Sequence, residues 1–291
     1  MPLSVDVETD AALPPAGEAL LDRAVALLAG RRLAILTGAG VSTDSGIPDY
    51  RGEGAPVRRP MTVQQFLGSA ERRQRYWAGS HLGWRAFAAA EPNAGHRAIA
   101  ALEAAGVANG VVTQNVDGLH VRAGSERVVE LHGSLDRVRC LDCGQTFARG
   151  DVAERISELN PWIDVPERVR LNPDGDVEIA GHEGFAIPEC TVCGGILKPE
   201  VVFFGELVPV EQFAEAQALV RQAEALVVVG SSLAVNSGIR LIELAARARK
   251  PIVIVNRGVT KGDRRAAVKI DAGASEVLGA LAGRLLPSGS P

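Results

Sequence analysis

A short apolar strand that runs directly into glycine constrains this chain more than any other feature of its sequence. Leu33–Thr37 reads as a buried strand, and Gly38 and Gly40 follow it at once. Glycine has no Cβ, so the backbone can turn sharply there and approach a ligand closely. A strand, a tight turn and a helix N-terminus in succession would leave unpaired N–H groups facing a phosphate. The spacing departs from G-x-G-x-x-G, because Thr43 stands where the third glycine belongs and the next glycine is Gly46.

Strand and helix patterns alternate along most of the remaining chain. The predicted strands are 33–37, 110–113, 127–131, 225–229 and 252–255, and the predicted helices are 20–28, 62–87, 93–106, 210–223, 237–249 and 275–286. Buried strands that alternate with helices predict a parallel sheet covered on both faces. The alternation lapses from Arg139 to about Lys198, and we interpret that span as an inserted module.

Composition and charge exclude several classes of protein. The chain has 291 residues, 46% of them apolar, and a formal net charge of −4. That charge gives nucleic-acid binding no general electrostatic support. The acidic N-terminus resembles neither a transit peptide nor a signal peptide, and no apolar run reaches ~18 residues. The sequence therefore predicts a soluble cytoplasmic protein with no membrane partner.

Four cysteines form two C-x-x-C pairs, Cys140 with Cys143 and Cys190 with Cys193, and a glycine follows each pair. In a reducing compartment such pairs indicate a metal rather than disulfides. Four thiolates around one Zn²⁺ leave no open position for water, so the predicted zinc is structural. Reduced free thiols or a redox pair are the alternative.

Polar residues follow the strand that ends at Thr113. Gln114, Asn115 and Asp117 would lie at the carboxyl edge of the sheet, where ligands bind in open parallel sheets. Two amides and a carboxylate suit an amide-bearing ring or ribose hydroxyls. The alternative is an Asx-type turn that caps a helix.

His132 ends another short predicted strand and suits a general base, because imidazole titrates near neutrality. From the residues alone, a structural role for this histidine is equally open. We interpret His81, His96 and His182 as structural and leave His120 undecided.

Three later segments complete the candidate site. Gly230–Ser232 and Asn256–Gly258 follow apolar strands and would hold phosphates and adenosine, since the usual acidic ribose ligand after the first glycine loop is missing. The extended stretch 198–206 could add a peptide strand through its backbone. An ordinary core strand is the alternative for that stretch.

Taken together, these segments resemble the sirtuin family of NAD-dependent protein deacylases, from about Leu33 to Leu278. The motifs that carry the resemblance are GAGVSTDSGIPDYRG, TQNVDGLH, ELHGS, the two C-x-x-C pairs, KPEVVFFGE, GSSL and VNRG. The segments RQRYWAGSHLGW, LDRVRCLDCG and LNPDGDVEIA are especially similar to class II sirtuins, which include a mitochondrial animal member.

The resemblance implies an α/β fold: a Rossmann-like parallel sheet domain with an inserted small domain made of a helical module and a Cys₄ zinc ribbon. The expected divisions are an arm at 1–15, the NAD-binding domain at 16–52, 90–138 and 199–287, the helical module with a cofactor loop at 53–89, and the zinc module at 139–198. A mobile loop, Glu53–Pro60, is expected to close only over full substrate.

The resemblance also implies the ligands and their residues. The expected NAD-binding residues are Gly38, Ala39, Gly40, Asp49, Arg51, Gln114, Asn115, Val116, Asp117, Gly230, Ser231, Ser232, Asn256, Arg257, Gly258 and Ala274. The expected contacts to the acyl-lysine peptide are Val202, Phe203, Phe204, Gly205 and Glu206. Asn115 and Asp117 would lie nearest the scissile bond. As nicotinamide leaves, the acyl oxygen would attack the ribose carbon to give an alkylimidate. His132 would then deprotonate a ribose hydroxyl, and hydrolysis would release lysine and O-acyl-ADP-ribose.

The acyl chain and the activity itself leave alternatives. Sirtuins that take succinyl or malonyl lysine carry a tyrosine and an arginine three residues apart, but Tyr76 is followed at that spacing by Gly79. Arg72, Arg73 and Arg75 could meet an acidic chain or form a solvated helix face. Protein ADP-ribosylation is the alternative activity. An NAD- or acyl-lysine-binding scaffold, a Rossmann oxidoreductase and a zinc hydrolase are weaker alternatives.

Overall fold

Strands and helices alternate along the chain in the computed structural model, which describes residues 15–50, 60–163, 172–177 and 183–287. The helices are α1 (Pro15–Leu28), α2 (Val63–Gly68), α3 (Ala70–Ala88), α4 (Ala94–Ala104), α5 (Leu119–Arg122), α6 (Arg149–Leu159), α7 (Val210–Gln222), α8 (Asn236–Arg247) and α9 (Ala274–Leu285). The strands are β1 (Leu33–Thr37), β2 (Ala108–Thr113), β3 (Val128–Glu130), β4 (Gly133–Cys140), β5 (Thr146–Ala148), β6 (Leu197–Val201), β7 (Ala225–Val229), β8 (Ile252–Val255) and β9 (Val268–Ile270).

Six strands form a parallel sheet in the order β3-β2-β1-β7-β8-β9. Counted along the chain within this sheet, the order is 3-2-1-4-5-6, that of a Rossmann fold. The strand order reverses between β1 and β7, where Thr37 pairs with Val229. Ligands bind in the crevice beyond such a reversal, so the glycine loops after these two strands share the predicted position.

Helices cover both faces of the sheet, which confirms the predicted layers. Along β1, Leu33 and Ile35 join a core with α1, α4 and α9, whereas Ala34 and Leu36 join a core with α7 and α8. Burial on both faces explains why the strands read as unbroken apolar runs. In the described ranges no helix is both long and apolar enough to cross a membrane.

A second sheet, β5-β4-β6, is antiparallel and belongs to a smaller unit with α2, α3 and α6. Its core is rich in aromatic side chains, with Phe66, Tyr76, Trp77 and Phe203 packed edge to face or tilted. Cys140 and Cys190 are buried in the same cluster. The cysteine pairs and the helical module therefore share one core.

The structure differs from the prediction in several elements, among them the short helix α5, which was not predicted. The predicted helix 62–87 is two helices, because Ser69 is extended and its side chain accepts from the N–H of Arg72 to begin α3. The three-residue strand β9 was not predicted, and the span 139–198 contains β5, α6 and part of β4 and β6. The expected divisions at 138/139 and 198/199 fall inside β4 and β6, and the division into domains stays a prediction.

Several predictions lie wholly or mostly outside the described residues. The predicted arm at 1–15 overlaps them only at Pro15, and the predicted loop Glu53–Pro60 only at Pro60. Arg51 and His182 are also outside them.

Candidate active site

One cleft at the carboxyl edge of the parallel sheet brings the predicted site together. Apart from Arg51, every residue predicted to bind NAD or peptide lines this cleft, together with His132. The loop after β1 lies beside the loop after β7, and the segments after β2, β3 and β8 complete the wall. The cleft continues past Met61 and Tyr76 of the smaller unit. It therefore joins the edge of the sheet to the second core.

The glycine loops touch each other through their backbones. The N–H of Gly38 donates to the Val229 carbonyl at 3.1 Å, and that of Gly40 donates to the Gly230 carbonyl at 2.9 Å. The N–H groups of these two glycines therefore join the loops to each other, and the contacts of Gly38, Ala39 and Gly40 to NAD stay a prediction. Two short 3-10 turns, rather than an α-helix, follow the first loop. These glycines permit close loop packing at the point where strand order reverses.

Gly230 is the most demanding position in this packing. Its φ is +63°, and a Cβ there would lie 2.5 Å from the Val41 nitrogen. Gly46 also has a positive φ, +82°, but a Cβ there would meet nothing within 4 Å. We expect Gly230→Ala to destabilise the protein well beyond the ~1–2 kcal/mol of left-handed strain that Gly46→Ala introduces. Urea unfolding of both variants measures this, and equal losses would contradict the packing argument.

Ser42, which sequence reasoning missed, connects the polar groups of the site. Its fully buried hydroxyl donates to Asp117 Oδ2 at 2.7 Å and accepts from Asn115 Nδ2 at 3.0 Å. The other Asp117 oxygen accepts the Leu119 N–H at 2.9 Å. Burial raises the pKa of Asp117, and these two hydrogen bonds oppose that rise. The network holds the carboxylate and the amide in fixed orientations.

Two histidines pack behind this network rather than in the cleft. The rings of His96 and His120 lie 4.8 Å apart, and His120 Nε2 is 2.9 Å from the Thr37 hydroxyl. His96 accepts the Asn93 N–H at Nδ1 in a capping box and faces Ser42 through Nε2. Both histidines therefore have a structural position, which answers the open question about His120.

This histidine pair predicts acid lability. Burial lowers the pKa of His96 to about 4 and that of His120 to about 3, below the ordinary value of 6.5. As the pH falls below 6.5, these histidines become protonated in the unfolded state but stay neutral in the native state. The free energy of unfolding therefore decreases until the pH reaches the native pKa values. Each histidine contributes a slope of up to about 1.4 kcal/mol per pH unit.

Asp117 opposes this decline, because its raised pKa lets the native state take up a proton before the unfolded state does. We expect His120→Gln to flatten the dependence of unfolding free energy on pH between about 4.5 and 6.5. Urea unfolding at a series of pH values checks this, and an unchanged slope would contradict it.

His132 occupies the position of a base with a fixed tautomer. Its Nδ1 lies 3.0 Å from the Gln114 carbonyl oxygen, and its Nε2 lies 2.9 Å from the Ser237 hydroxyl. A carbonyl only accepts, so Nδ1 carries the proton and Nε2 presents its lone pair. Burial lowers the pKa of His132, and the Gln114 carbonyl opposes that shift. The imidazole is thus neutral and able to accept a proton.

The predicted peptide-binding stretch uses part of its own backbone internally. The Val202 N–H donates to the His132 carbonyl, and the Phe203 N–H donates to a Glu206 carboxylate oxygen at 2.6 Å. Lys198 pairs with the same carboxylate at 3.0 Å. The Glu206 carboxylate therefore stabilises the conformation of the stretch 198–206. The stretch also presents an apolar rim, with Phe204 and Leu207 exposed beside the cleft.

Gly79 explains why no arginine follows Tyr76 at the three-residue spacing. A Cβ at residue 79 would collide with the carbonyl oxygen of Val177. Arg73 donates to the carbonyls of Phe66 and Leu67, and Arg72 and Arg75 are exposed and do not line the cleft. The arginines thus form the solvated helix face that the sequence analysis gave as one of two alternatives. Val177, in segment 172–177, occupies the space that a side chain at position 79 would need.

The four cysteines form a candidate metal centre. Their sulfur atoms all lie within 4.8 Å of one another, with Cys140 Sγ 3.5 Å from Cys193 Sγ and Cys143 Sγ 3.7 Å from Cys190 Sγ. Tetrahedral Zn–S bonds of about 2.3 Å place sulfur atoms about 3.8 Å apart, whereas a disulfide needs about 2.05 Å. The donor set fits one Zn²⁺ with no open position, so any metal there stabilises the fold.

Comparison with known proteins gives consistent results. The model of the Sir2 family matches residues 38–237. The chain is 52% identical over 275 residues to NAD-dependent protein deacetylase 1 of Mycobacterium avium, covering 93% of this chain and 98% of that protein. It is 46% identical over 256 residues to the NAD-dependent protein lipoamidase sirtuin-4, mitochondrial, of Bos taurus, covering 85% of this chain and 81% of that protein. A solved structure of Sir2 with a p53 peptide and NAD⁺ has a TM-score of 0.70 and 30% identity, covering 89% of this chain and 95% of that one.

Proposed function

This chain belongs to the Sir2 family, and from that premise we propose that it is an NAD-dependent protein lysine deacylase. The reaction consumes NAD and an acyl-lysine side chain and gives nicotinamide, O-acyl-ADP-ribose and free lysine. The observation that carries the proposal is the cleft in which His132, the Asn115–Asp117 pair and both glycine loops meet. The name of the M. avium relative, a deacetylase, supports the same reaction.

The proposed roles follow from the contacts of each side chain. His132 is the general base, which is supported by its fixed tautomer and neutral form. Asn115 and Asp117 face the nicotinamide end, where their hydrogen bonds to Ser42 orient them before any ligand binds. The loops beginning at Gly230 and Asn256 hold the adenosine end. NAD, when bound, supplies the ribose that receives the acyl group.

The acyl chain is proposed to enter between the two cores. That end of the cleft is lined by Tyr76, Phe203, Pro173, Asp174 and Asp176. Three residues after Tyr76 stands Gly79 rather than an arginine that would favour a succinyl or malonyl group. The aromatic rings offer apolar surface to an acyl chain, and the two aspartates would repel an acidic one, so this end of the cleft suits acetyl and longer neutral chains. The bovine relative is named a lipoamidase, so a lipoyl group belongs among the candidates.

Mass spectrometry of one peptide that carries different acyl-lysines tests the proposal. We expect acetyl, propionyl, longer acyl or lipoyl groups to be removed only when NAD is present, with O-acyl-ADP-ribose as the co-product. The same peptide without NAD is the control. If no chain is removed while NAD still binds, the deacylase proposal is wrong, and transfer of label from NAD to protein would favour ADP-ribosylation instead. The cytoplasmic location stays a prediction from the sequence.

A further inference from the structure

Ser237 contacts the proposed base, although neither the sequence motifs nor the proposed roles assign it a task. It lies in the first turn of α8 and lines the cleft. Its hydroxyl is the hydrogen-bond partner of His132 Nε2, at 2.9 Å. Because Nδ1 of His132 is protonated against the Gln114 carbonyl, the serine hydroxyl must donate to Nε2.

We propose that Ser237 relays the proton from a cosubstrate hydroxyl to His132, an inference that rests on the proposed function. Nε2 of a neutral imidazole has one lone pair, and Ser237 occupies it. A ribose hydroxyl that bonded to Nε2 directly would displace Ser237. Ser237 is only 7% exposed, and its hydroxyl has no second acceptor within the described ranges. Displacement would leave the Ser237 hydroxyl without a hydrogen-bond acceptor, which costs free energy. In the relay the bond between Ser237 and His132 stays in place, so this cost does not arise.

The proton balance of the relay is simple. Ser237 Oγ accepts the proton of the ribose O–H bond as it gives its own proton to His132 Nε2. The serine ends neutral, as it began, the imidazole becomes positively charged, and the electron pair of the broken O–H bond stays on the ribose oxygen. No oxidant or further reactant is needed.

The surroundings of Ser237 hold it in place for this task. The next residue, Gly238, packs so closely that a Cβ there would lie 2.9 Å from Gln114 Nε2. Gln114 in turn accepts the Ser231 hydroxyl at 2.6 Å through Oε1. The first turn of α8, the segment after β2 and His132 therefore form one connected network, and a relay gains from donors that are already oriented.

The first test needs no NAD. In histidine NMR titrations of the free protein we expect Ser237→Ala to raise the pKa of His132 by roughly half a unit or more, because the hydrogen bond that favours the neutral ring is lost. Ser237→Thr keeps a hydroxyl and should restore the wild-type value. Ser157→Ala is the matched control, since the hydroxyl of Ser157 donates to the Ala153 carbonyl of its own helix and has no other hydrogen-bond partner among the residues that the structure describes. An equal pKa of His132 in the wild type and in Ser237→Ala would contradict the hydrogen bond between Ser237 and His132, and with it the relay.

The second test follows deacylation in single turnovers. We expect Ser237→Ala to lower the rate by about 10²-fold with little change in NAD affinity, and Ser237→Thr to recover most of it. In mixtures of H₂O and D₂O the wild-type rate should depend on deuterium content along a curve, because two protons move together. That measurement needs no variant and so does not depend on Ser237→Ala folding.

The outcomes separate the two ideas. A wild-type protein that removes no acyl group overturns the proposed function and the relay with it. An active wild type with a linear deuterium dependence, or an active Ser237→Ala with the wild-type rate, overturns the relay and leaves the proposed function standing.

Discussion

Replacement of His132 by alanine should reduce deacylation by about 10²–10⁴-fold, the range typical of a lost general base. The neutral imidazole has its Nδ1 proton held by the Gln114 carbonyl, so Nε2 is the atom that takes up a proton, which in the proposed relay comes from Ser237. Alanine removes that acceptor but leaves both glycine loops and the Ser42 network in place. We therefore expect NAD binding to change little. Single-turnover rates and NAD binding by calorimetry measure the two effects separately.

His81 offers a matched control for this experiment. It lies on α3, is buried, and does not line the cleft. His81→Ala should reduce stability more than turnover, whereas His132→Ala should do the reverse. Deacylation by His132→Ala at the wild-type rate would remove the base assignment, and loss of NAD binding in that variant would mean that His132 holds the cofactor instead.

The sequence could predict the position of the cleft because strand ends are visible in it. An apolar run followed by glycine or an amide marks the carboxyl end of a parallel strand, and all such ends meet at one edge. That rule placed Gln114, His132 and Ser231 together although they come from three different strands. Along that edge, the cleft lies beyond β1 and β7, the adjacent strands between which the strand order reverses.

What the sequence could not predict depends on contacts between distant segments. The N–H of Gly40 donates to the carbonyl of Gly230, 190 residues away, a pairing that no local sequence pattern predicts. Ser42 sits inside the glycine motif but gains its role only when β2 brings Asn115 and Asp117 beside it. Ser237 has no local signature either, because its partner lies on another strand end.

Loss of zinc should have the largest effect on stability. Zinc contributes about 10–16 kcal/mol of apparent binding free energy in zinc-finger peptides at neutral pH, which rivals the whole stability of ordinary domains. Cys193 is exposed, so Cys193→Ala creates no cavity and removes only a sulfur ligand. We expect this variant to hold no zinc, to unfold at a much lower temperature and to lose deacylation.

The loss of activity follows from the shared core. Cys140 and Cys190 pack in the cluster that contains Tyr76 and Phe203, two residues of the cleft wall. β4 carries Cys140 at its end and begins at Gly133, directly after His132. Disorder at the metal centre would therefore reach both the acyl end of the cleft and the base.

Val192→Ala is the matched control, because Val192 lies between Cys190 and Cys193 and is 67% exposed. It should keep one zinc per chain, wild-type thermal unfolding and wild-type turnover. Elemental analysis measures the zinc content of both variants, and calorimetry measures their unfolding temperatures. After chelation, added zinc should restore the unfolding temperature of the wild-type protein but not that of Cys193→Ala. A metal-free wild-type protein with full stability would contradict the structural role, because four unligated thiols would then suffice to hold β4 and β6 in place.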